Sequence, residues 1–187
     1  MKVPMSWLQA LVNLPDGTTT DDVVQALTNH TATVEKVEVV GGELTGPLVI
    51  GHILSSVPEP QKNGKIINWC RVDVGPRYNA EGHPNNVEEG IEGRGIVCGA
   101  PNAVEGAWVV VSLPGAVLPG GFAISARKTY GHMSDGMLCA SDELGIGVDH
   151  TGIITLPSSV EGHQLVPGEN ALPILGVPEE VLDVDVT

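Results

Sequence analysis

The hydrophobic positions of the chain change period along its length. Trp7-Leu8 and Leu11-Val12 lie one turn apart and predict a short helix. Pro15-Asp16-Gly17 marks a turn. Thr19-x-x-Asp22 then reads as a capping box ahead of an apolar stripe formed by Val23, Val24 and Leu27. Residues 33–40 are rich in Val with charges between and predict a strand, which Gly41-Gly42 ends. The opening therefore reads helix, helix, strand. From residue 47 to 156 strand signals recur, at 48–57, 66–74, 95–100, 108–113 and 123–130, with 153–156 as an extra. Turn residues separate them at 58–64, 99–102 and 114–121. Residues 141–144 predict one helical turn. Residues 76–93 are polar, hold Glu81, Glu88, Glu89 and Glu92, and have no period, so they read as a flexible loop between two strands.

Several short strands divided by Gly and Pro predict a barrel or a sandwich. At the far end Leu182, Val184 and Val186 alternate with Asp183, Asp185 and Thr187, again a strand pattern. It stops without a turn, as an excised fragment would. The first 40 residues and the last 28 or so bring apolar stripes too small to be buried alone. They are expected to pack together, with a strand pair between the 33–40 region and residues 181–186. The predicted fold is mainly β with α/β flanks, a five-stranded barrel inserted into a small discontinuous α/β domain. The expected boundaries are 1–42 with 158–187 for the outer domain and 43–157 for the barrel.

Composition narrows the class. Of 187 residues 42% are hydrophobic and 17% charged, which excludes intrinsic disorder. No apolar run approaches the roughly 18 residues that span a bilayer, and Met1-Lys2-Val3-Pro4 lacks the apolar stretch of a signal peptide. Cys70, Cys98 and Cys139 are odd in number and widely spaced, which fits reduced thiols in the cytoplasm. A net charge of −14 argues against nucleic-acid binding by bulk charge. The charge is uneven, though. Residues 45–157 hold seven basic residues (Lys62, Lys65, Arg71, Arg77, Arg94, Arg127, Lys128) against eleven acidic ones, a net of −4. The flanks hold Lys2 and Lys36 against twelve acidic residues, a net of −10.

Candidate chemistry is sparse. No Cys-x-x-Cys or His-x-x-x-His is present, so no metal site is expected. Gly90-Ile91-Glu92-Gly93-Arg94-Gly95 lacks the Lys-Ser/Thr ending of a phosphate loop and reads as a turn entering a strand. Ser134-Asp135-Gly136 partly matches a nucleophile elbow, but position 132 is His rather than Gly. Cys139 with His132 or His150 makes a thiol–imidazole pair, set against a plain core cysteine beside Leu138. Asp142-Glu143 and Glu179-Glu180 read as solvated faces. A nucleic-acid face is the remaining option. Lys62 and Lys65 follow the first barrel strand, Trp69 and Arg71 share one face of the second, and Arg127, Lys128, Tyr130 and His132 lie at and beyond the end of the fifth. The competing reading buries Trp69 and Trp108 in the core and leaves the lysines in a solvated turn.

Longer motifs add to this. Ile96-Val97-Cys98-Gly99-Ala100-Pro101-Asn102, Leu113-Pro114-Gly115-Ala116-Val117-Leu118-Pro119-Gly120, Ser134-Asp135-Gly136-Met137-Leu138-Cys139-Ala140-Ser141-Asp142-Glu143-Leu144-Gly145 and Asp149-His150-Thr151-Gly152-Ile153 stand in that order. Together they closely resemble the tRNA-binding barrel in the beta subunit of bacterial phenylalanyl-tRNA synthetase. Ser6-Trp7-Leu8 is similar to that subunit's beginning, so the resemblance covers essentially the whole chain. It implies an oligonucleotide/oligosaccharide-binding (OB) barrel within a discontinuous α/β domain. It also implies a cytoplasmic parent enzyme of two alpha and two beta subunits that uses ATP and magnesium, with no cofactor and no catalytic residue in these 187 residues. tRNA is then the expected partner, bound weakly and in a salt-sensitive way by the chain alone, with no membrane and no DNA. The candidate tRNA-binding residues are Lys62, Lys65, Arg71, Arg127, Lys128 and Tyr130. Related barrels often carry His-Pro-Asn-Ala-Asp-Lys-Leu after the first strand; here Lys65 matches the Lys, while the His and Asp are replaced. Two other readings share the barrel: a free-standing tRNA-binding protein or the appended barrel of methionyl-tRNA synthetase, and a structural spacer that docks other subunits.

Overall fold

The first turn signals act locally. In a computed structural model, which describes residues 1–86 and 92–185, the chain opens with β1 (Lys2–Pro4), a strand too short to show a period. Helix α1 (Met5–Leu11) follows directly after Pro4. Helix α2 (Thr20–His30) starts on a reciprocal cap: the Thr19 hydroxyl accepts from the Asp22 amide, and the Asp22 carboxylate accepts from the Thr19 amide at 2.9 Å. The strands β2 (Thr33–Val40) and β15 (Glu179–Asp185) complete a sheet of order β1-β15-β2, antiparallel throughout. The expected pair between the 33–40 region and the last strand is therefore present, from Glu179 against Val40 to Asp185 against Thr33. Val186 and Thr187 lie outside the described residues. One face of the sheet buries Leu182 and Val184 against Met5 and Val23. The other carries a charge ladder in which Lys2 Nζ lies 2.6 Å from Glu38 and 3.2 Å from Asp183, and Lys36 lies 2.5 Å from Glu38.

These segments, Met1–Gly42 and Gly176–Thr187, make one compact unit; Glu43–Leu175 make the other. The second unit holds β3 (Leu48–Pro60), β4 (Ile66–Asp73), β5 (Arg94–Cys98), β6 (Trp108–Ser112) and β11 (Met137–Leu138), in the sheet order β11-β6-β3-β4-β5. The strand β12 (Thr155–Leu156) also pairs with β6. The long β3 serves two partners. Its residues 48–52 pair with β6 and 52–60 with β4, the β4 pairing shifting register between Ile53 and Ser55. The sheet curls into a nearly closed barrel of OB type. The gap is bridged where the Asp135 amide donates to Gly95 O and the Val97 amide to Ser134 Oγ, both at 3.0 Å. Ile53, Cys70, Val72, Ile96, Val109 and Val111 fill the interior.

Three expectations change here. Residues 123–130 are not one strand. Phe122–Ala123 (β8) pairs with Val117–Leu118 (β7), and Arg127–Thr129 (β9) forms a hairpin with His132–Ser134 (β10). Between them Ile124 exchanges backbone bonds with Gly115 and Ala116, so this stretch cannot join the barrel ladder, and β11 takes the fifth place. The 76–93 loop begins as helix α3 (Gly75–Ala80), anchored by Asp73, whose carboxylate accepts from the Gly75 amide and the Asn79 amide group. Residues 87–91, with Glu88 and Glu89, lie outside the described residues. Residues 141–144 form turns rather than a helix.

The stretch 158–175, which the sequence reading places with the outer domain, packs in the barrel unit. After the hairpin β13 (Ser159–Val160) and β14 (His163–Gln164), Gly168 donates to Ile50 O and Ile50 donates to Glu169 O, at 2.8 and 2.9 Å. These bonds satisfy the edge of β3 that β4 leaves open, and helix α4 (Ala171–Ile174) follows.

Candidate nucleic-acid interface

β5 alternates. Ile96 and Cys98 point into the core, and Val97 points out. Three clefts meet at Val97. One of ≈ 520 Å³ is lined by Lys65, Ile66, Ile67, Gly99, Thr129 and Tyr130. A second, of ≈ 240 Å³, is lined by Phe122, Ile124, Arg127, Thr129, Ser134 and Met137 among others. The third, of ≈ 330 Å³, gathers Gly99-Ala100-Pro101, Leu138, Glu143 and residues 150–153. Motifs far apart in the chain thus share one surface.

The β9–β10 hairpin shapes it. Its two-residue turn has positive φ at both positions, 49° at Tyr130 and 88° at Gly131, as the twist of a tight hairpin requires. The turn projects the Tyr130 ring outward, where it is exposed. Register pairs Arg127 with Ser134 and Thr129 with His132 on one face, and Lys128 with Met133 on the other. Arg127 therefore lines a cleft, with its guanidinium 5.7 Å from the centre of the Phe122 ring.

Of the six sequence candidates, three converge: Lys65, Arg127 and Tyr130 line the clefts around Val97. Lys62 is exposed in the turn between β3 and β4 and lines none of the three. Lys128 is exposed on the hairpin's other face. Arg71 lines none of the three either: it is 5% exposed and donates to Asn86 O at 2.7 Å. Its position two residues from Trp69 gave the right face of β4 but no sign that residues 81–86 cover it.

Several side chains escaped the sequence reading. Phe122 adds an exposed aromatic ring beside Arg127. Asn86, 3% exposed, accepts from the Gly95 amide and donates to Gly95 O and Met133 O, at 2.6–2.7 Å. Arg94 and Asp135 form a buried pair at 3.3 Å; Arg94 also donates to Tyr78 O, and Asp135 accepts from the His83 amide. Together they bind residues 78–86 to β5 and the hairpin. Nothing local in the sequence marks such long-range partners.

The nucleophile readings do not survive. Cys139 is fully buried and donates to Ser112 Oγ at 3.4 Å; burial pushes its thiol up to about 12. Burial likewise lifts Cys98 to about 11. His132 is bonded to Glu59, and His150 Nδ1 lies 3.4 Å from Val148 O, so neither serves Cys139. The Ser134 hydroxyl accepts from the Val97 amide and donates to Gly136 O. Among the described residues no group of three or more His, Cys, Asp or Glu could hold a metal ion, and no helix is long and apolar enough to cross a membrane.

The nearly closed five-stranded antiparallel barrel defines a class, a module of OB type. A family model described as "Putative tRNA binding domain" matches residues 83–164, the segment that supplies Val97, Phe122, Arg127 and Tyr130. Over all of its 187 residues the chain is 92% identical to the phenylalanine–tRNA ligase beta subunit of Cutibacterium acnes, covering 22% of that protein. It is 48% identical over 187 residues to the beta subunit of Thermobifida fusca, with 100% of the chain and 21% of the relative covered. For Bifidobacterium longum the figures are 42% over 189 residues, 99% and 21%. The chain belongs to the phenylalanine–tRNA ligase beta-subunit family, in its N-terminal region. It spans about a fifth of the length of these curated relatives.

Proposed function

We propose that this chain is a non-catalytic, tRNA-binding part of a phenylalanine–tRNA ligase. The parent enzyme attaches phenylalanine to its tRNA with ATP and magnesium, which act outside these residues. It assembles from two alpha and two beta subunits. Three buried free thiols, Cys70, Cys98 and Cys139, support a reducing, cytoplasmic setting. One observation carries the RNA reading: Lys65, Arg127, Phe122 and Tyr130 line clefts that meet at Val97. Cations neutralise phosphates, and exposed rings offer stacking faces to unpaired bases. A net charge of −14 keeps the contact local and weak.

Binding of a phenylalanine tRNA transcript, measured against salt concentration for the chain and for the assembled ligase, tests this. Lys65→Ala and Arg127→Ala are each expected to lower the salt slope by about one and to weaken all tRNAs alike. Tyr130→Ala is expected to weaken binding with the slope unchanged. Lys62→Ala and Lys128→Ala are expected to change little. A Lys65→Ala/Arg127→Ala variant with wild-type affinity and slope would make the barrel a spacer.

A further inference from the structure

The β9–β10 hairpin is a ladder of only three residue pairs, and its side-chain seat lies on two other strands. The His132 ring stacks on Trp69 of β4, with centroids 4.1 Å apart and planes 13° from parallel. His132 Nε2 lies 3.0 and 2.9 Å from the two carboxylate oxygens of Glu59 on β3. Trp69 is fixed in turn: its six-membered ring lies over Gly95, where a Cβ would approach within 2.2 Å. One face of the indole, which the sequence offered to a nucleobase, is thus occupied by the chain's own imidazole.

We propose that His132 is a positioning residue for RNA binding, clamping the hairpin to Trp69 and Glu59 and so holding Arg127 and Tyr130 at the clefts. This rests on the tRNA-binding reading above. The stack on Trp69 and the approach of Nε2 to both Glu59 oxygens fix the ring from two neighbouring strands, and Arg127 shares its face of the hairpin.

The test measures tRNA affinity of the full chain against salt concentration at one pH. His132→Ala is expected to weaken binding roughly tenfold, the size of one hydrogen bond to a charged group, to lower the salt slope by about one, and to be non-additive with Arg127→Ala, because both remove the same phosphate contact. With Lys65→Ala, which lies on another loop, it should add. Glu59→Gln separates the clamp from a direct contact. It is expected to weaken binding as His132→Ala does; binding that tightens instead means that the imidazole meets phosphate directly, and overturns the proposal. So does a His132→Ala variant with wild-type affinity and salt slope, or full additivity with Arg127→Ala. Failure of the tRNA reading itself looks different, as no saturable binding by the wild type.

Discussion

Gly95 shows how much one missing side chain can arrange. Its amide and carbonyl are both held by Asn86, and a Cβ there would stand 2.2 Å from Trp69 Cη2 and 2.7 Å from Asn86 Nδ2. Neither a packed indole nor a buried amide with three hydrogen bonds can yield cheaply. Gly95→Ala is therefore expected to destabilise the barrel by about 1–3 kcal/mol, read from urea unfolding, and to change the emission of Trp69. Gly99, one residue past the end of the same strand, meets nothing within 4 Å, so Gly99→Ala should leave the unfolding midpoint nearly unchanged. The same scale explains Arg71 and Arg127. Both are cations near an aromatic ring, yet one is covered and the other lines an open cleft. The sequence distinguishes neither, since exposure depends on chain segments far away.

At the scale of elements, the β1-β15-β2 sheet separates its two faces cleanly. The buried face depends on Leu182 and Val184, while the charge ladder lies on the other. Hydrogen bonds first from Lys2 and then from Lys36 hold the Glu38 carboxyl at about 2, well below its ordinary value. A carboxyl lowered by folding contributes stability that is complete above its ordinary value and is lost as pH falls toward the folded one. Stability should therefore fall between about pH 4.5 and 2, and Glu38→Gln should flatten that part of an acid unfolding profile. The pairing of β2 with β15 was legible because β2 is rich in Val with charges between, and β15 alternates from Leu182 onward. The place of β1 was not, because three residues hold no period.

For the whole molecule, the chain leaves one unit at Gly42 and returns to it at Gly176. Residues 43–175 keep all five barrel strands, the β3 edge bonds from residues 168–170, and the three clefts around Val97. Expressed alone they are expected to fold, giving a dispersed amide NMR spectrum, and to bind tRNA with the salt slope of the full chain. Residues 1–42 alone are expected to remain unfolded. They lack the central strand of their sheet and two of the four buried residues of its core. A cut at residue 157 instead of 175 should cost barrel stability, because it removes the partners of Ile50.

The sequence alone determined what is local or periodic. The Thr19–Asp22 cap, the strand runs of β3, β4 and β6, the alternation of the last strand and the ordered motifs of the family were all readable, because each rests on neighbours a few residues apart. Tertiary structure decided the rest. It chose β11 over residues 123–130 as the closing strand, because the backbone of Ile124 was already bonded to Gly115 and Ala116. It kept residues 158–175 with the barrel by offering them an open edge of β3. It buried Arg71 under Asn86 and stacked His132 on Trp69. These outcomes are competitions for partners among residues distant in sequence, and only the closed barrel brings the competitors within hydrogen-bonding reach of one another.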